Sequence, residues 1–391
     1  MKYLIENQYI NNVEIEEFII ENKSLHNSFD IDFKGIKPKN TCGFLRINNE
    51  DYFIIPKICT EDEKNLNIFI YMLIFAYDIK IKNEDISQLE NIKYNFLKIF
   101  IKFFSDTLFE ELKKGVSRKY INKEENLKVL KGKYLIKENF SNFYHQNIYC
   151  QFDEFSIDNE LNQFFFYAIK IFKRYSNTQN LFRCESIFDE VEYKHIDIDR
   201  LKIKFDRLNH RFKKSFDIAM LILKSLSSQV EDSKNESFTF LFDMSEVFEK
   251  FIGNLHRKID TSTEIQVEKN YENLKLKPDI LTSSLIIDTK YKLVKNRDDL
   301  KTNDKYQMFT YGINFKRKET MLLYPKHIFD VNENLKLGKD DIFVNLKMRS
   351  IELKFEDFGF DEYIEEIRKR LENLKWQQKK EKRNIKVIYV I

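Results

Sequence analysis

Breakers are scarce in this chain of 391 residues: 8 Gly and 4 Pro stand against 37 Phe and 20 Tyr. That balance excludes a disordered chain and indicates an ordinary globular one with a sizeable core. Cysteine is scarce too. Cys42, Cys59, Cys150 and Cys184 lie far apart with no CxxC pair and no leader-like segment ahead of them. They exclude a disulfide framework and a thiolate zinc site, and the expectation is reduced thiols in a cytoplasmic protein. The six histidines show no HxH or HExxH spacing, so none is assigned a catalytic role. An excess of one charge is also missing: 66 Lys plus Arg face 63 Asp plus Glu, a net of +3. Any case for nucleic acid must therefore rest on local clusters. The longest apolar run, 66–79, is broken by Asn67 and falls short of the roughly 20 residues that cross a bilayer. A buried helix in a soluble protein, with no membrane partner, is expected.

What is present divides by periodicity. From Met1 to Ile58, short β-rich runs at 3–5, 14–20, 43–47 and 52–58 predict a small β-domain, with Pro56 at a strand end. Helices are expected at 65–79 and 92–113, the second stopped by Gly115, and again at 164–175. Leu201, Phe205, Leu208 and Phe212 predict the stripe of a further helix. Around it lie Arg200, Lys202, Lys204, Arg207, Arg211, Lys213 and Lys214, which either track phosphates or form a solvated face. Gly132-Lys133 lacks the upstream glycine and following Ser or Thr of a phosphate loop, so nucleotide binding is not assigned there. The polar run 231–237 reads as a linker.

The chemistry gathers after residue 240. A helix starting at Leu241, with Asp243 as N-cap and Glu246 completing a capping box, carries Glu249 beside its apolar stripe. A strand at 264–269 precedes the stretch KPDILTSSLIIDTKYK, residues 277–292, which predicts a β-hairpin. Asp279 lies on its incoming strand, Thr282-Ser283-Ser284 form the turn, and 285–292 form the outgoing strand. Alternation puts Asp288, Lys290 and Lys292 on one face of that strand and Ile287, Thr289 and Tyr291 on the other. A helix at 298–315 carries Asp304, Gln307 and Tyr311, the last two on one face. A core strand, 320–324, ends at Pro325.

Asp-x-Lys alone means little, since Asp32, Asp62, Asp78 and Asp232 also precede a lysine by two. Only Asp288 ends an apolar strand, follows a Pro-Asp pair, and has a helix with a Glu upstream and a Gln-xxx-Tyr helix downstream. Two carboxylates can hold Mg²⁺, which favours oxygen ligands and keeps several waters. A metal-activated water and a lysine on the same face suit hydrolysis of a phosphodiester. A structural ion pair between Asp288 and Lys290 is the alternative.

This set resembles the PD-(D/E)XK nuclease superfamily. More closely, the chain resembles the McrC family, the nuclease subunits of McrBC restriction systems, through 242–251 (FDMSEVFEKF), Asp288-Thr-Lys-Tyr-Lys292 and Asp304-Lys-Tyr-Gln307. Upstream, 55–58 (IPKI), 112–120 (LKKGVSRKY), 130–133 (LKGK) and 150–162 (CQFDEFSIDNELN) extend the likeness over most of the chain. The resemblance implies an α+β fold in which a β-rich, ring-docking domain (1–152) precedes a helical segment and nuclease domain (153–391). The α/β core of that domain spans about 240–330 around a mixed central sheet. It implies Asp279, Asp288 and Glu249 at the metal, Lys290 as the catalytic lysine, and Gln307, Tyr311 and Lys292 supporting the site or contacting DNA. Mg²⁺, with Mn²⁺ as a substitute, would be the cofactor. The partners would be double-stranded DNA, modified or not, and a McrB-like AAA+ ring that hydrolyses GTP, consistent with the missing Walker A here. A non-catalytic assembly subunit and a stand-alone RecB-like repair nuclease are the rival readings. The amphipathic segment from Asp361, with its basic flank, falls outside the family pattern and suits either DNA backbone or a solvated helix.

Overall fold

The strand Phe238–Asp243 lies antiparallel beside Thr41–Ile47, which in turn pairs with Glu50–Ile55. This pairing returns the chain to its own N-terminal segment. In the computed structural model, which describes residues 2–48, 50–58, 62–79, 96–142, 146–226, 238–326, 329–339, 341–354 and 359–384, the contacts therefore form two units. One contains Met1–Glu90 and Ser227–Ile391, the other Asn91–Leu226. The expected division at 152/153 thus differs from the observed one, because strand pairing joins the two ends of the chain and sets the middle apart. Cys59, the linker at 231–237 and residues 92–95 lie outside the described residues.

In the first unit, a four-stranded sheet runs in the order Lys2–Ile5, Glu50–Ile55, Thr41–Ile47, Phe238–Asp243. The expected β-domain is therefore completed by a strand from far along the chain, Arg46 facing Phe238 and Thr41 facing Asp243. The segment 14–20, expected as a strand, is instead part of the helix Val13–Glu21. Asn12 Oδ1 accepts the Ile15 N–H, acidic residues occupy the first turn, and Ile15 and Ile19, four apart, are buried together. Helix Met244–Ile259 begins three residues later than expected, since 238–243 is strand. Asp243 does cap it, accepting the Ser245 N–H at 2.7 Å, while the Glu246 carboxylate meets Lys250 at 2.8 Å.

The larger sheet has six strands, in the order Glu264–Ile265, Ile280–Leu281, Leu285–Thr289, Glu319–Pro325, Ile342–Ile351, Asn332–Lys339. Its three central strands are parallel and its flanks antiparallel, the mixed sheet that was expected. The buried residues Ile286, Leu322, Leu346 and Met348 pack with Met308 and Tyr311 of helix Thr302–Asn314. The expected strand 264–269 is broken at Gln266, which has φ +52°. The expected 298–315 helix splits into a short 3₁₀ turn, Arg297–Asp299, and Thr302–Asn314. Helix Phe360–Asn384 buries Tyr363, Ile364, Ile367 and Leu371. Its apolar face is thus core; the side chains from 375 onward lie outside the described residues. Among the described residues no helix is long and apolar enough to cross a membrane.

The second unit joins a three-stranded sheet (Lys119–Leu127, Ile148–Ser156, Lys133–Tyr134) to helices Phe96–Leu112, Glu160–Phe172, Gln179–Ile187 and Lys213–Ser225. Phe100, Phe104, Phe164, Phe165, Phe172, Phe188 and Phe212 are among its largest buried side chains. The helix expected over 201–212 is absent up to His210. Asp206 Oδ1 accepts the Leu208 and Asn209 N–H groups and Asn209 Oδ1 accepts that of Asp206, a side-chain turn that competes with helix. Gly115 closes its helix as expected, its N–H donating to Leu112 O. Gly132 (φ +71°) comes so near Gln151 that a Cβ would lie 2.4 Å from the carbonyl oxygen, so its backbone faces a strand.

Gly43 (φ +141°) sits where the strands from both ends of the chain meet, and a Cβ there would lie 2.2 Å from Phe240 O. Gly43→Ala is expected to destabilise this unit by about 2–4 kcal/mol through backbone strain and overpacking, read as a lower urea midpoint at unchanged slope.

Candidate active site

The strand Leu285–Thr289 is buried along its whole length, and Asp288, near its carboxyl end, is only 2% exposed. A carboxylate so placed loses its hydration, which disfavours the charged form. Burial, and then the neighbouring charge of Asp279, push the Asp288 carboxyl up to about 7; Lys290 acts in the opposite sense. Lys290 Nζ lies 2.6 Å from Asp288 Oδ2. That ammonium is the charge that opposes the rise, by ion pairing and hydrogen bonding to the buried oxygen.

Asp279 occupies the bend just before the short strand Ile280–Leu281, one position short of the strand on which it was expected. The Thr282–Ser284 turn forms as expected, with Thr282 Oγ1 accepting the Leu285 N–H. Across the hairpin, Asp279 Oδ2 accepts the Thr289 N–H at 2.7 Å and the Thr289 hydroxyl at 2.9 Å. Burial raises its pKa while those two bonds oppose the rise. Glu249 comes from the helix Met244–Ile259. Its Oε1 accepts the Gln266 side-chain N–H, and the Gln266 backbone N–H donates to Asp279 O at 2.8 Å. Burial first, then the charge of Asp279, raise the Glu249 pKa. The left-handed Gln266 thus ties two carboxylate-bearing segments together, a role the sequence did not signal.

The outgoing strand ends at Thr289, so Lys290 and Lys292 lie just beyond it, not within it as expected. Lys290 Nζ donates to Gln307 Oε1 at 3.2 Å, Gln307 Nε2 to Tyr311 Oη at 3.1 Å, and Tyr311 Oη to Lys277 O at 3.0 Å. Burial works against the Lys290 ammonium, but Asp288, Asp304 and Asp279 outweigh it and hold its pKa above the usual lysine value. Lys292 pairs with Asp304 at 2.6 Å. All seven candidate residues, Glu249, Asp279, Asp288, Lys290, Lys292, Gln307 and Tyr311, therefore fall in this one unit, linked by hydrogen bonds, ion pairs or mutual charge effects.

A family model described as "McrBC 5-methylcytosine restriction system component" matches residues 36–325. The chain belongs to this McrBC family. Among solved structures it is similar to "Refined half-complex from tetradecameric assembly of Thermococcus gammatolerans McrB AAA+ hexamers with bound McrC". There the identity is 21% and the TM-score 0.49, over 94% of this chain and 90% of that one. It is also similar to "Cryo-EM structure of the Thermococcus gammatolerans McrBC complex", with 24% identity and a TM-score of 0.46 over 65% of this chain and 86% of that one. No curated protein matches it.

A cation fits this McrBC-family site on chemical grounds. Asp288 Oδ2 is a buried acceptor met by the Lys290 ammonium, and Asp279 raises the cost of ionising Asp288, a cost that a cation would offset. Among the described residues no three His, Cys, Asp or Glu form a closed cluster.

Because the folded pKa of Asp288 exceeds the unfolded value of 3.8, folding takes up a proton between about pH 4 and 7. The stability from this group is complete below pH 4 and is lost as pH rises through 7. In EDTA, the melting temperature is expected to fall between pH 5 and 8. Asp288→Asn should flatten that fall and raise the melting temperature at pH 8, as checked by thermal denaturation across the range.

Proposed function

We propose that this chain is the endonuclease subunit of a GTP-dependent McrBC-type restriction complex, with a PD-(D/E)XK core that hydrolyses DNA phosphodiester bonds using Mg²⁺. The observation that carries the reading is the convergence of Asp279, Asp288 and Lys290 at the carboxyl end of a buried parallel strand, with the Lys290 ammonium on Asp288 Oδ2. Asp279 and Asp288 would hold the ion, with Glu249 beside them. When bound, Mg²⁺ lowers the pKa of a water and offsets charge on the scissile phosphate.

The chain's own groups define the rest. Lys290, whose pKa is held above the ordinary lysine value, keeps its charge near neutrality. It therefore stabilises negative charge developing on the phosphate and is a poor proton acceptor. Gln307, anchored by Tyr311, fixes the direction of that ammonium. Asp304 does the same for Lys292, which would meet a phosphate oxygen of the bound strand.

The proposed partner is a McrB-like AAA+ GTPase ring, and the docking surface is the thin sheet of the middle unit. Tyr120, Val129, Leu130, Ile136, Phe140 and Phe155 are all exposed there, Phe140 to 88%. Exposed apolar side chains of this size suit a surface that another protein covers. This docking region straddles the 152/153 boundary expected from sequence.

The test is reconstitution with a McrB-like ring, Mg²⁺ and GTP. Wild-type chain is expected to cleave DNA. Asp288→Ala should lose cleavage by about 10³-fold or more and still stimulate the partner's GTPase. Unchanged cleavage would make the chain an assembly subunit. Cleavage by the purified chain with Mg²⁺ alone would support the stand-alone nuclease.

A further inference from the structure

Glu6 follows the N-terminal strand Lys2–Ile5 and is 1% exposed. Among the described residues no cationic side chain pairs with it. Its Oε1 accepts the Tyr291 hydroxyl at 2.7 Å and the Lys57 backbone N–H at 2.9 Å, while Cys42 Sγ lies 4.0 Å from Oε2. A carboxyl buried without a cation is costly, and an apolar side chain would fill the same space without that cost. Burial accordingly pushes it up to about 7. In either protonation state it retains an oxygen able to accept from Tyr291.

Tyr291 separates the two site lysines at a point where the sheet no longer controls the backbone. The last ladder-like bond is Lys290 N–H to Leu323 O at 2.9 Å, and Lys292 N–H then turns back onto Lys290 O at 3.0 Å. Beyond it, Tyr291 is held at both ends. Glu6 takes its hydroxyl, and Asn40 Nδ2 donates to its carbonyl oxygen at 2.8 Å. The Asn40 carbonyl also accepts the N–H of Met244, the first residue of the helix that carries Glu249. The Tyr291 ring lies 5.9 Å from that of Phe248, next to Glu249.

We propose that Glu6 and Asn40 are positioning residues of the cleavage site: by clamping Tyr291 from the N-terminal segment they aim Lys290 at Asp288 and Gln307, and Lys292 at Asp304. The inference rests on the nuclease reading above. It makes the first 40 residues a working part of a site whose reactive groups all come from the last 150. A small misplacement of a reacting group is costly to rate, while DNA binding, spread over many contacts, is little affected.

The experiment uses the full chain assembled with its ring, and compares Tyr291→Phe, Glu6→Leu and Glu6→Gln with wild type. Tyr291→Phe and Glu6→Leu should each lower kcat for DNA cleavage by about tenfold with KM for DNA little changed. Glu6→Gln, which keeps an acceptor oxygen, should retain most of the activity. The same two disruptive variants should alter the rate at which an amine-reactive reagent modifies Lys290, read by mass spectrometry on the unassembled chain. Loss of melting temperature with kcat and Lys290 modification both unchanged would overturn the clamp and leave a merely structural bond. Should wild-type chain fail to cleave, the nuclease reading falls, and the Lys290 modification rates alone decide the clamp. Tyr291→Phe, which keeps the ring and its packing, decides the matter if Glu6→Leu does not fold.

Discussion

A carboxylate buried at the end of a parallel strand is the constraint around which this unit is arranged. Asp288 cannot be ionised cheaply at 2% exposure, and Asp279 beside it makes ionisation harder. The surroundings answer in two ways. Thr289 satisfies one oxygen of Asp279 twice, and Lys290 brings positive charge to Asp288. Neither answer removes the cost, since the Asp288 carboxyl is still held up at about 7. An apolar residue at 288 would serve the core better, so the retained penalty is the physical signature of a site.

Holding such a group requires a rigid frame on every side. The parallel pairing of Leu285–Thr289 with Glu319–Pro325 fixes the strand end, and helix Thr302–Asn314 supplies Gln307 and Asp304 as anchors for the two lysines. The third wall is Met244–Ile259, whose first N–H is bound by Asn40. Strand Phe238–Asp243, which feeds that helix, is locked into the N-terminal sheet. The chain's two ends are therefore joined mechanically at the site, and the middle unit is an insertion between them.

Local chemistry was legible in the sequence. The Asp243 cap, the Gly115 stop and the Thr282–Ser284 turn each depend on neighbours a few residues away, and each forms as expected. The strand face expected for Asp288, Lys290 and Lys292 was read too far, because the strand ends at Thr289 and alternation no longer governs the two lysines. The errors have equally local causes. Glu14-Ile-Glu-Glu-Phe-Ile-Ile20 looks β-rich, yet Asn12 and the Ile15/Ile19 spacing make it helical. At 201–208 the apolar spacing suited a helix, but Asp206 and Asn209 capture the backbone first. What could not be read was pairing at a distance. No pattern in the chain ties Glu6 to Tyr291, 285 positions apart, or Gln266 to both Glu249 and Asp279.

The division of labour between the two lysines follows from their partners. Lys290 is shared between a buried carboxylate and the amide oxygen of Gln307, so its charge is neutralised within the site at rest. Lys292 differs, because its partner is Asp304 of the helix Thr302–Asn314, whose charge also acts on Asp288 and Lys290. Lys290 is thus held between a carboxylate and an amide and Lys292 by a carboxylate alone, with the clamped ring of Tyr291 between them, so the aim of both ammonium groups depends on contacts made to the N-terminal segment.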